Sequence, residues 1–367
     1  MDIAPISAWN LASTQRPILI AGPCSAETEL QVLSTCQQIA QQNCAQILRA
    51  GIWKPRTRPN SFEGVGTPGL AWIKQAGIEN KLPVTVEVAN AKHVEEALKA
   101  GIDILWIGAR TTVNPFAVQE IADALNGMDI PVIIKNPINP DLALWIGAFE
   151  RLNKSGIKRL AALHRGFSNY EKTKYRNLPQ WEIPIELMRQ LPSLPIWCDP
   201  SHICGNRHLL QSVAQEALDL NFGGLMLETH ITPDLAWSDA EQQIVPERLG
   251  ELMRSLIIRQ TSSNDIEFQN TLDNLRDAID KIDRDIIDML AKRMRISRQI
   301  GNCKNDNNIT ILQPERWGNL FKQRTQQGIG QGLTPDFMRD FCNAIHKESI
   351  RHQTAIMNQN TKNEAHK

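Results

Sequence analysis

The chain has 367 residues, of which 42% are hydrophobic, and its 40 Lys and Arg balance its 40 Asp and Glu. This length predicts two domains, and the absence of net charge excludes a general nucleic-acid or membrane-surface binder. No run of eighteen apolar residues is present, and the start of the chain lacks a signal-peptide pattern, so we expect no membrane span. Seven scattered cysteines favour reduced thiols in the cytoplasm over a disulfide framework.

Short apolar runs alternate with amphipathic stretches up to residue 259. The predicted strands are Pro17–Ala21, Ala45–Arg49, Pro83–Glu87, Ile104–Ile107, Pro131–Lys135, Arg159–Leu163, Leu194–Cys198 and Gly224–Glu228. Amphipathic stretches such as Thr28–Gln41 and Asn114–Leu125 separate them, and Val245–Arg259 follows the last strand. Eight strand–helix units predict an α/β fold of the (β/α)₈ TIM-barrel type. An open doubly wound sheet is the alternative, but no GxGxxG follows the first strand.

Barrel enzymes carry their chemistry at the carboxyl ends of the strands, and polar or ionisable residues follow all eight predicted strands. Six of these residues are cations, namely Arg49, Lys54, Arg56, Arg110, Lys135 and Arg165. Guanidinium and ammonium groups bind phosphate and carboxylate oxygens well. The strand ends therefore predict a cationic site with room for two phosphates and a carboxylate.

A second group at the strand ends contains one thiol, one imidazole and two carboxylates, from Cys24, His202, Glu228 and Asp239. This mixture is typical of the ligands of a divalent transition metal. Each residue also has an ordinary structural interpretation. Cys24 could be a buried thiol, His202 could cap the following helix, and Asp239 lies in a possible capping box with Glu241.

Seven segments resemble, in sequence and order, the 3-deoxy-D-arabino-heptulosonate 7-phosphate (DAHP) synthases with a compact, type I-beta barrel. They are AGPCSAE (21–27), RAGIWKPRT (49–57), GAR (108–110), HRG (164–166), DPSH (199–202), LETH (227–230) and SDAEQ (238–242). The resemblance implies condensation of phosphoenolpyruvate with erythrose 4-phosphate to DAHP and phosphate, the first step of the shikimate pathway.

The resemblance also implies a role for each site residue. Cys24, His202, Glu228 and Asp239 are expected to bind a divalent metal ion, which could be Mn, Fe, Co or Zn. Phosphoenolpyruvate is expected to contact Arg49, Lys54, Arg110, Lys135 and Arg165, and erythrose 4-phosphate to contact Lys54, Pro55, Arg56 and Thr57. Glu87, at the end of the third strand, is a secondary candidate that could orient water or a lysine.

The alternative activity for this barrel is that of 3-deoxy-D-manno-octulosonate 8-phosphate synthase, which uses arabinose 5-phosphate. That family carries an alanine-asparagine pair where this chain has Pro55 after Lys54, so the KPRT loop favours the erythrose 4-phosphate enzymes. One departure is Arg58, which stands where serine usually follows KPRT.

Residues 260–265 (QTSSND) form a predicted linker between a barrel domain, 1–259, and an all-helical domain, 266–367. The helical domain begins with an apolar heptad row at Leu272, Leu275, Ile279, Ile282, Ile286 and Met289. Arg293 continues that row, and Lys304, eleven residues later, lies on the same face. A cation on an apolar row needs an anion. The anion is either an internal Asp or Glu, or a bound dicarboxylate.

Residues 266–356 resemble the all-helical chorismate mutases, through ILQPERW (311–317) and HKESIRHQ (346–353). The resemblance implies an intertwined dimer of three-helix subunits that converts chorismate to prephenate without a cofactor. The implied site residues are Arg276, which acts in the partner's site, and Arg293, Lys304, Arg316 and Gln353. Trp317 replaces a frequent acid and Gln313 a frequent aspartate, so Glu315 is a candidate for the contact to the substrate hydroxyl.

We therefore expect a bifunctional enzyme whose synthase is inhibited by prephenate or chorismate bound to the helical domain. A non-catalytic sensor domain, tethered to an octulosonate-type barrel, is the alternative. The expected assembly is a homodimer through the helical domain, or a tetramer, with no nucleic-acid or membrane partner.

Overall fold

The computed structural model describes residues 1–54 and 62–364, with the side chains of the last helix described up to residue 358. The chain divides into two compact units, Met1–Thr261 and Ser262–Lys367. Pro55, Arg56 and Thr57, which the sequence predicts to bind erythrose 4-phosphate, lie outside the described residues.

Eight parallel strands in the described part of the first unit form a closed barrel, in which β8 pairs with β1. The strands are β1 Ile18–Gly22, β2 Ile47–Ala50, β3 Val84–Val88, β4 Ile104–Ile107, β5 Val132–Lys135, β6 Leu160–His164, β7 Ile196–Cys198 and β8 Gly224–Glu228. The predicted (β/α)₈ fold is confirmed.

Helices connect the strands on the outside of the barrel. They are α1 Glu29–Gln41, α2 Pro68–Asn80, α3 Ala91–Lys99, α4 Ala109–Thr112, α5 Pro115–Ala124, α6 Leu142–Lys154, α7 Glu182–Gln190, α8 Pro200–Cys204, α9 Leu210–Asp219 and α10 Pro246–Ser255. Side-chain N-caps fix several of their starts, among them Thr28, Asn90 and Asp141. The cap of α8 is Asp199, which accepts the backbone N–H of His202 at 3.1 Å.

Alternation along the strands places three charged groups inside the barrel. Ile47, Ile133 and Met226 belong to the interior core. Because side chains two residues apart point to the same face of a strand, the groups two residues later also point inward. These are Arg49, Lys135 and Glu228, each at or next to the carboxyl end of its strand. Apolar packing thus sets the positions of ionisable groups at one end of the barrel.

Aromatic side chains fill the barrel interior. Trp106 on β4 is fully buried there, beneath the strand ends. A 3-10 helix, Ile6–Trp9, precedes the first strand, and Trp9 packs on Trp197 with ring centroids 5.3 Å apart. The interior is therefore a packed core, and the charged groups lie at the carboxyl ends of its strands.

His164 at the end of β6 points away from the interior, because its neighbour Leu163 occupies the interior core. Its ring lies among the aromatic side chains of Trp145, Phe167 and Trp181. This burial lowers the pKa of His164 from 6.5 to about 3. His164 is thus a neutral core group rather than a site residue.

We expect His164→Phe to reduce the acid sensitivity of the barrel. Between pH 6.5 and 3 the unfolded chain binds a proton at His164 that the folded chain does not, so stability falls as the pH falls through this window. The contribution is about 1.4 kcal/mol per pH unit. Urea unfolding at pH 7 and pH 5 should show a smaller difference for the variant. The exposed His208→Gln serves as control, and parallel losses in wild type and His164→Phe would disprove this role.

The second unit consists, in its described residues, of three helices, α11 Ile266–Asp306, α12 Pro314–Gly330 and α13 Pro335–Glu364. This confirms the predicted helical C-terminal region. A close approach holds α11 against α13, because a Cβ on Gly301 would lie only 3.2 Å from Gln353 Cα. Ser297 and Gln353 are joined by a buried hydrogen bond of 3.2 Å across this interface.

The first half of α11 presents its apolar row to solvent. Leu275, Ile279, Ile282, Ile286 and Met289 are each between 47% and 62% exposed. A helix with this row uncovered gains little stability from its own chain. No helix in the described residues is long and apolar enough to cross a membrane.

Candidate active sites

The carboxyl ends of the strands surround a cavity of about 330 Å³. Five cationic side chains line it, namely Lys54, Arg110, Lys135, Arg165 and Arg176. Glu87, His202 and Asp239 contribute to the same wall. Four of the five phosphoenolpyruvate residues predicted from the sequence therefore face one space. Burial lowers the pKa of Arg165 to about 10, which still leaves this guanidinium charged near neutral pH.

Arg49, the fifth predicted residue, is buried among the groups beneath the cavity. Its guanidinium contacts Glu228 at 3.0 Å and donates to the Cys24 carbonyl at 3.0 Å. It also lies 4.8 Å above the ring of Trp106. In this arrangement Arg49 is the ion partner of Glu228, and the opposite charge offsets the cost of burying both groups.

Cys24 and Asp239 lie together although they are far apart in sequence. Cys24 Sγ is 3.2 Å from Asp239 Oδ2, and Lys54 Nζ is 2.8 Å from the same sulfur. The other carboxylate oxygen of Asp239 pairs with Arg176 at 2.8 Å. Asp239 has a left-handed backbone and no side-chain capping bond, so its carboxylate serves these contacts rather than a capping box.

His202 belongs to a chain of buried polar contacts at the end of β7. Its Nδ1 lies 2.8 Å from Asp199 Oδ2, which also accepts from Lys135 Nζ at 2.8 Å. Its Nε2 lies 3.8 Å from Glu228 Oε1. Asp199, not His202, caps α8, and it orients the imidazole so that Nε2 points towards the other donors.

The four donors have the chemistry of a transition-metal site, with one sulfur, one nitrogen and two carboxylates. In the described residues, however, no three Cys, His, Asp or Glu side chains form a group ready to hold a metal ion. Protein groups already pair with them, since Lys54 contacts Cys24, Arg49 contacts Glu228, and Arg176 contacts Asp239. Burial and nearby Glu228 raise the pKa of Cys24 to about 12, so a bound cation would have to displace the thiol proton.

Glu87 lies at the edge of the cavity and accepts a hydrogen bond from Trp106 Nε1 at 3.1 Å. Gly108 makes this position possible, because a Cβ there would lie 1.9 Å from Glu87 Oε1. The short helix α4 begins directly after Gly108 and carries Arg110 into the cavity wall.

The helical unit contains its own cavity of about 300 Å³. Arg293, Lys304, Arg316 and Gln353 line it, which brings four of the five residues predicted from the sequence together. Arg293 donates to Ser349 Oγ, and Lys304 donates to the carbonyl of Ile311. Arg276, the fifth, is exposed and pairs with Asp273 at 3.3 Å.

In the described residues, the remaining wall of this cavity carries aromatic and amide side chains rather than acidic ones. Trp317 stacks on His346, with ring centroids 3.7 Å apart and planes at 11°. Gln313 lies beside them, whereas Glu315 is not among the described residues that line this cavity. Burial, together with Arg293, lowers the pKa of His346 below its ordinary value and favours a neutral ring.

Comparison with known proteins decides the family of the barrel, because residues 10–263 match the DAHP synthetase I family. The chain belongs to this family. A phospho-2-dehydro-3-deoxyheptonate aldolase from Thermotoga maritima is 30% identical over 238 residues, covering 65% of this chain and 68% of that protein. A 2-dehydro-3-deoxyphosphooctonate aldolase from Legionella pneumophila (strain Corby) is 26% identical over 266 residues, covering 67% and 92%.

Solved structures agree with this DAHP synthase assignment. The crystal structure of a phospho-2-dehydro-3-deoxyheptonate aldolase (DAHP synthase) from Thermotoga maritima matches with a TM-score of 0.58 at 27% identity, covering 65% of this chain and 67% of that one. A truncated form of the Thermotoga maritima synthase matches with a TM-score of 0.57 at 24% identity, covering 70% and 87%, which supports the fold alone.

The helical unit has a separate family match, because residues 275–354 match chorismate mutase type II. The chain is therefore a bifunctional enzyme of aromatic amino acid biosynthesis, with a DAHP synthase domain and a chorismate mutase domain. DAHP synthases are metal-dependent enzymes.

Four further residues of the synthase site were given no role by the sequence. Arg176 and Asp199 pair with groups at the cavity, and Gln242 donates to Glu228 Oε2 at 2.6 Å. Gln243 accepts the backbone N–H of Cys24 at 3.0 Å. Asp199 and Gln242 lie in the DPSH and SDAEQ segments, and Gln243 directly follows the second of these. The spacing of residues in the sequence did not distinguish side chains that position others from the proposed metal ligands.

Proposed function

We propose that the barrel cavity is where phosphoenolpyruvate condenses with erythrose 4-phosphate. The observation that carries this proposal is the meeting of five cations and two metal-type donors, His202 and Asp239, on one cavity wall. Lys54, Arg110, Lys135 and Arg165 would bind phosphoenolpyruvate, with Arg49 beneath them as the fifth proposed contact. Lys54 would also contact the aldose phosphate. Pro55, Arg56 and Thr57 remain the proposed contacts of the aldose phosphate.

Cys24, His202, Glu228 and Asp239 would hold a divalent cation, for which Mn, Fe, Co and Zn are all suitable by ligand chemistry. When bound, it supplies Lewis acidity that polarises the aldehyde carbonyl. The positions of the donor atoms support this proposal. Cys24 Sγ lies 3.2 Å from Asp239 Oδ2, and His202 Nε2 lies 3.8 Å from Glu228 Oε1.

The protein's own cations would assemble the two reactants. Two phosphate dianions repel each other, and fixed positive charges lower the cost of bringing them together. The enol carbon of phosphoenolpyruvate then attacks the aldehyde, water adds to the neighbouring carbon, and phosphate leaves by carbon–oxygen cleavage. Lys135 pairs with Asp199 and would act as an ion partner of the substrate. Glu87, which accepts a hydrogen bond from Trp106, would orient water or a lysine.

The mutase reaction would take place in the cavity of the helical unit and needs no cofactor. Its transition state moves negative charge towards the ether oxygen, which Lys304 and Gln353 are suited to stabilise by hydrogen bonds. Arg293 and Arg316 would bind the two carboxylates. Arg276 lies seventeen residues before Arg293 on the same helix, so we propose that it acts in the site of a second subunit.

A second copy of the chain is the proposed partner of the apolar row on α11, which supports a homodimer through the helical unit, with a tetramer as the larger alternative. Prephenate bound to this unit is proposed to inhibit the synthase. All seven cysteines are free, which supports a reducing compartment such as the cytoplasm.

One assay tests the synthase, metal and feedback proposals. Phosphate release from phosphoenolpyruvate is measured in the presence of each divalent metal, with erythrose 4-phosphate or arabinose 5-phosphate, and with or without prephenate. We expect metal-dependent turnover with the four-carbon sugar and inhibition by prephenate. Preference for arabinose 5-phosphate would support the octulosonate alternative. Undiminished turnover with prephenate would remove the feedback proposal and leave the synthase assignment intact.

A further inference from the structure

Arg324 on α12 lines the helical cavity together with Arg293 and Arg316. It follows Arg316 by eight residues, which is a little over two helical turns, so both side chains project from neighbouring faces of the same helix. Arg324 also borders the adjoining apolar groove of about 700 Å³, as does Arg293. The two guanidinium groups therefore stand at the boundary between the two spaces.

The helical cavity has more positive charge than its proposed ligand has negative charge. Arg293, Lys304, Arg316 and Arg324 line it, and its described lining contains no Asp or Glu. Arg293 and Lys304 bind a hydroxyl and a carbonyl oxygen, which are neutral acceptors. Chorismate and prephenate each carry two carboxylates, so a bound dianion would neutralise only part of this charge.

Arg324 and Arg293 also repel each other in the free protein. Burial lowers the pKa of Arg293, and the positive charge of Arg324 lowers it further. Such a pair of like charges destabilises the folded chain unless an anion lies between or beside them. A carboxylate placed there would convert this repulsion into two charge-assisted contacts.

We propose that Arg324 is a further substrate-binding residue of the mutase domain and contacts a carboxylate of chorismate together with Arg293. This proposal rests on the proposed mutase site. The rearrangement leaves both carboxylates charged, so Arg324 stabilises the bound substrate and the transition state to the same degree. Its contribution therefore appears in KM and in the binding of prephenate, rather than in kcat.

The test compares Arg324→Gln with Lys322→Gln in the full-length chain. Lys322 is exposed on the same helix, two residues earlier, and its variant makes the same change in charge. For Arg324→Gln we expect KM for chorismate and Kd for prephenate to rise by about 10- to 100-fold, with kcat within about twofold. Lys322→Gln should match the wild type. The melting temperature of Arg324→Gln should stay the same or rise, because the repulsion with Arg293 is relieved.

Values of KM and Kd within twofold of wild type would overturn the proposal, as would equal losses in the two variants. A lower melting temperature together with weaker binding would assign Arg324 a structural role and would also overturn it. Wild-type chorismate turnover tests the mutase site separately. If the wild type binds prephenate but does not rearrange chorismate, and Arg324→Gln loses that binding, the binding role of Arg324 is supported and the catalytic assignment of the domain fails.

Discussion

Replacing Cys24 by serine is expected to abolish DAHP formation while leaving chorismate rearrangement unchanged. Cys24 is the sole thiol in the proposed ligand set, and a hydroxyl is a much poorer ligand for a transition metal. Since a metal that polarises a carbonyl contributes several kcal/mol, the expected loss of kcat is about three orders of magnitude. The change is small in volume, so the barrel should remain folded.

Three measurements make this result interpretable. Phosphate release gives synthase activity, chorismate consumption gives mutase activity, and metal content after dialysis gives occupancy. Cys303→Ser is the matched control, because Cys303 is an exposed thiol in the helical unit. A Cys24→Ser enzyme that keeps its metal and more than a tenth of its synthase activity would contradict the proposed ligand role.

Replacing Lys304 by alanine is expected to have the opposite selectivity, with loss of the mutase and retention of the synthase. Lys304 is proposed to donate to the ether oxygen, where negative charge develops in the transition state. Removing one such preorganised donor costs about 10²–10³ in kcat. Prephenate binding should weaken less than catalysis, because the carboxylate contacts of Arg293 and Arg316 remain.

Lys292→Ala is the matched control for this change, since Lys292 is exposed on the same helix, next to Arg293. Steady-state kinetics with chorismate and circular dichroism of the helical content are the two readouts. A Lys304→Ala enzyme with kcat within threefold of wild type would show that another group stabilises the ether oxygen.

The barrel was predictable because its strands are buried on both faces and therefore appear as short apolar runs between amphipathic helices. Three of the differences at the strand starts have a common cause. Predicted strands began at Pro17, Pro83 and Pro131, whereas the observed strands begin one residue later. Proline has no N–H to donate to the strand ladder, so regular pairing starts after it.

The site was less predictable, because side-chain pairing depends on the folded arrangement. Arg176 lies in a polar loop without periodicity, and its partner Asp239 is 63 residues further along the chain. The resemblance implied a substrate contact for Arg49, which stays a prediction, but the sequence did not show that strand alternation would bury Arg49 against Glu228. Arg324 was not identified from the sequence, because it belongs neither to the apolar row of α11 nor to the segments that resemble the chorismate mutases.

With a second copy of the chain covering the apolar row of α11, as proposed, the stability of the mutase domain would depend on the concentration of the enzyme. The barrel closes its own core within one chain, so burial of that core does not require a second copy of the chain. The first half of the long helix, by contrast, gains stability from packing only when something covers residues such as Ile279 and Ile286, whereas its second half packs against α13. Dilution would therefore weaken the helical unit and spare the barrel, and the two activities of one polypeptide would respond differently to its abundance.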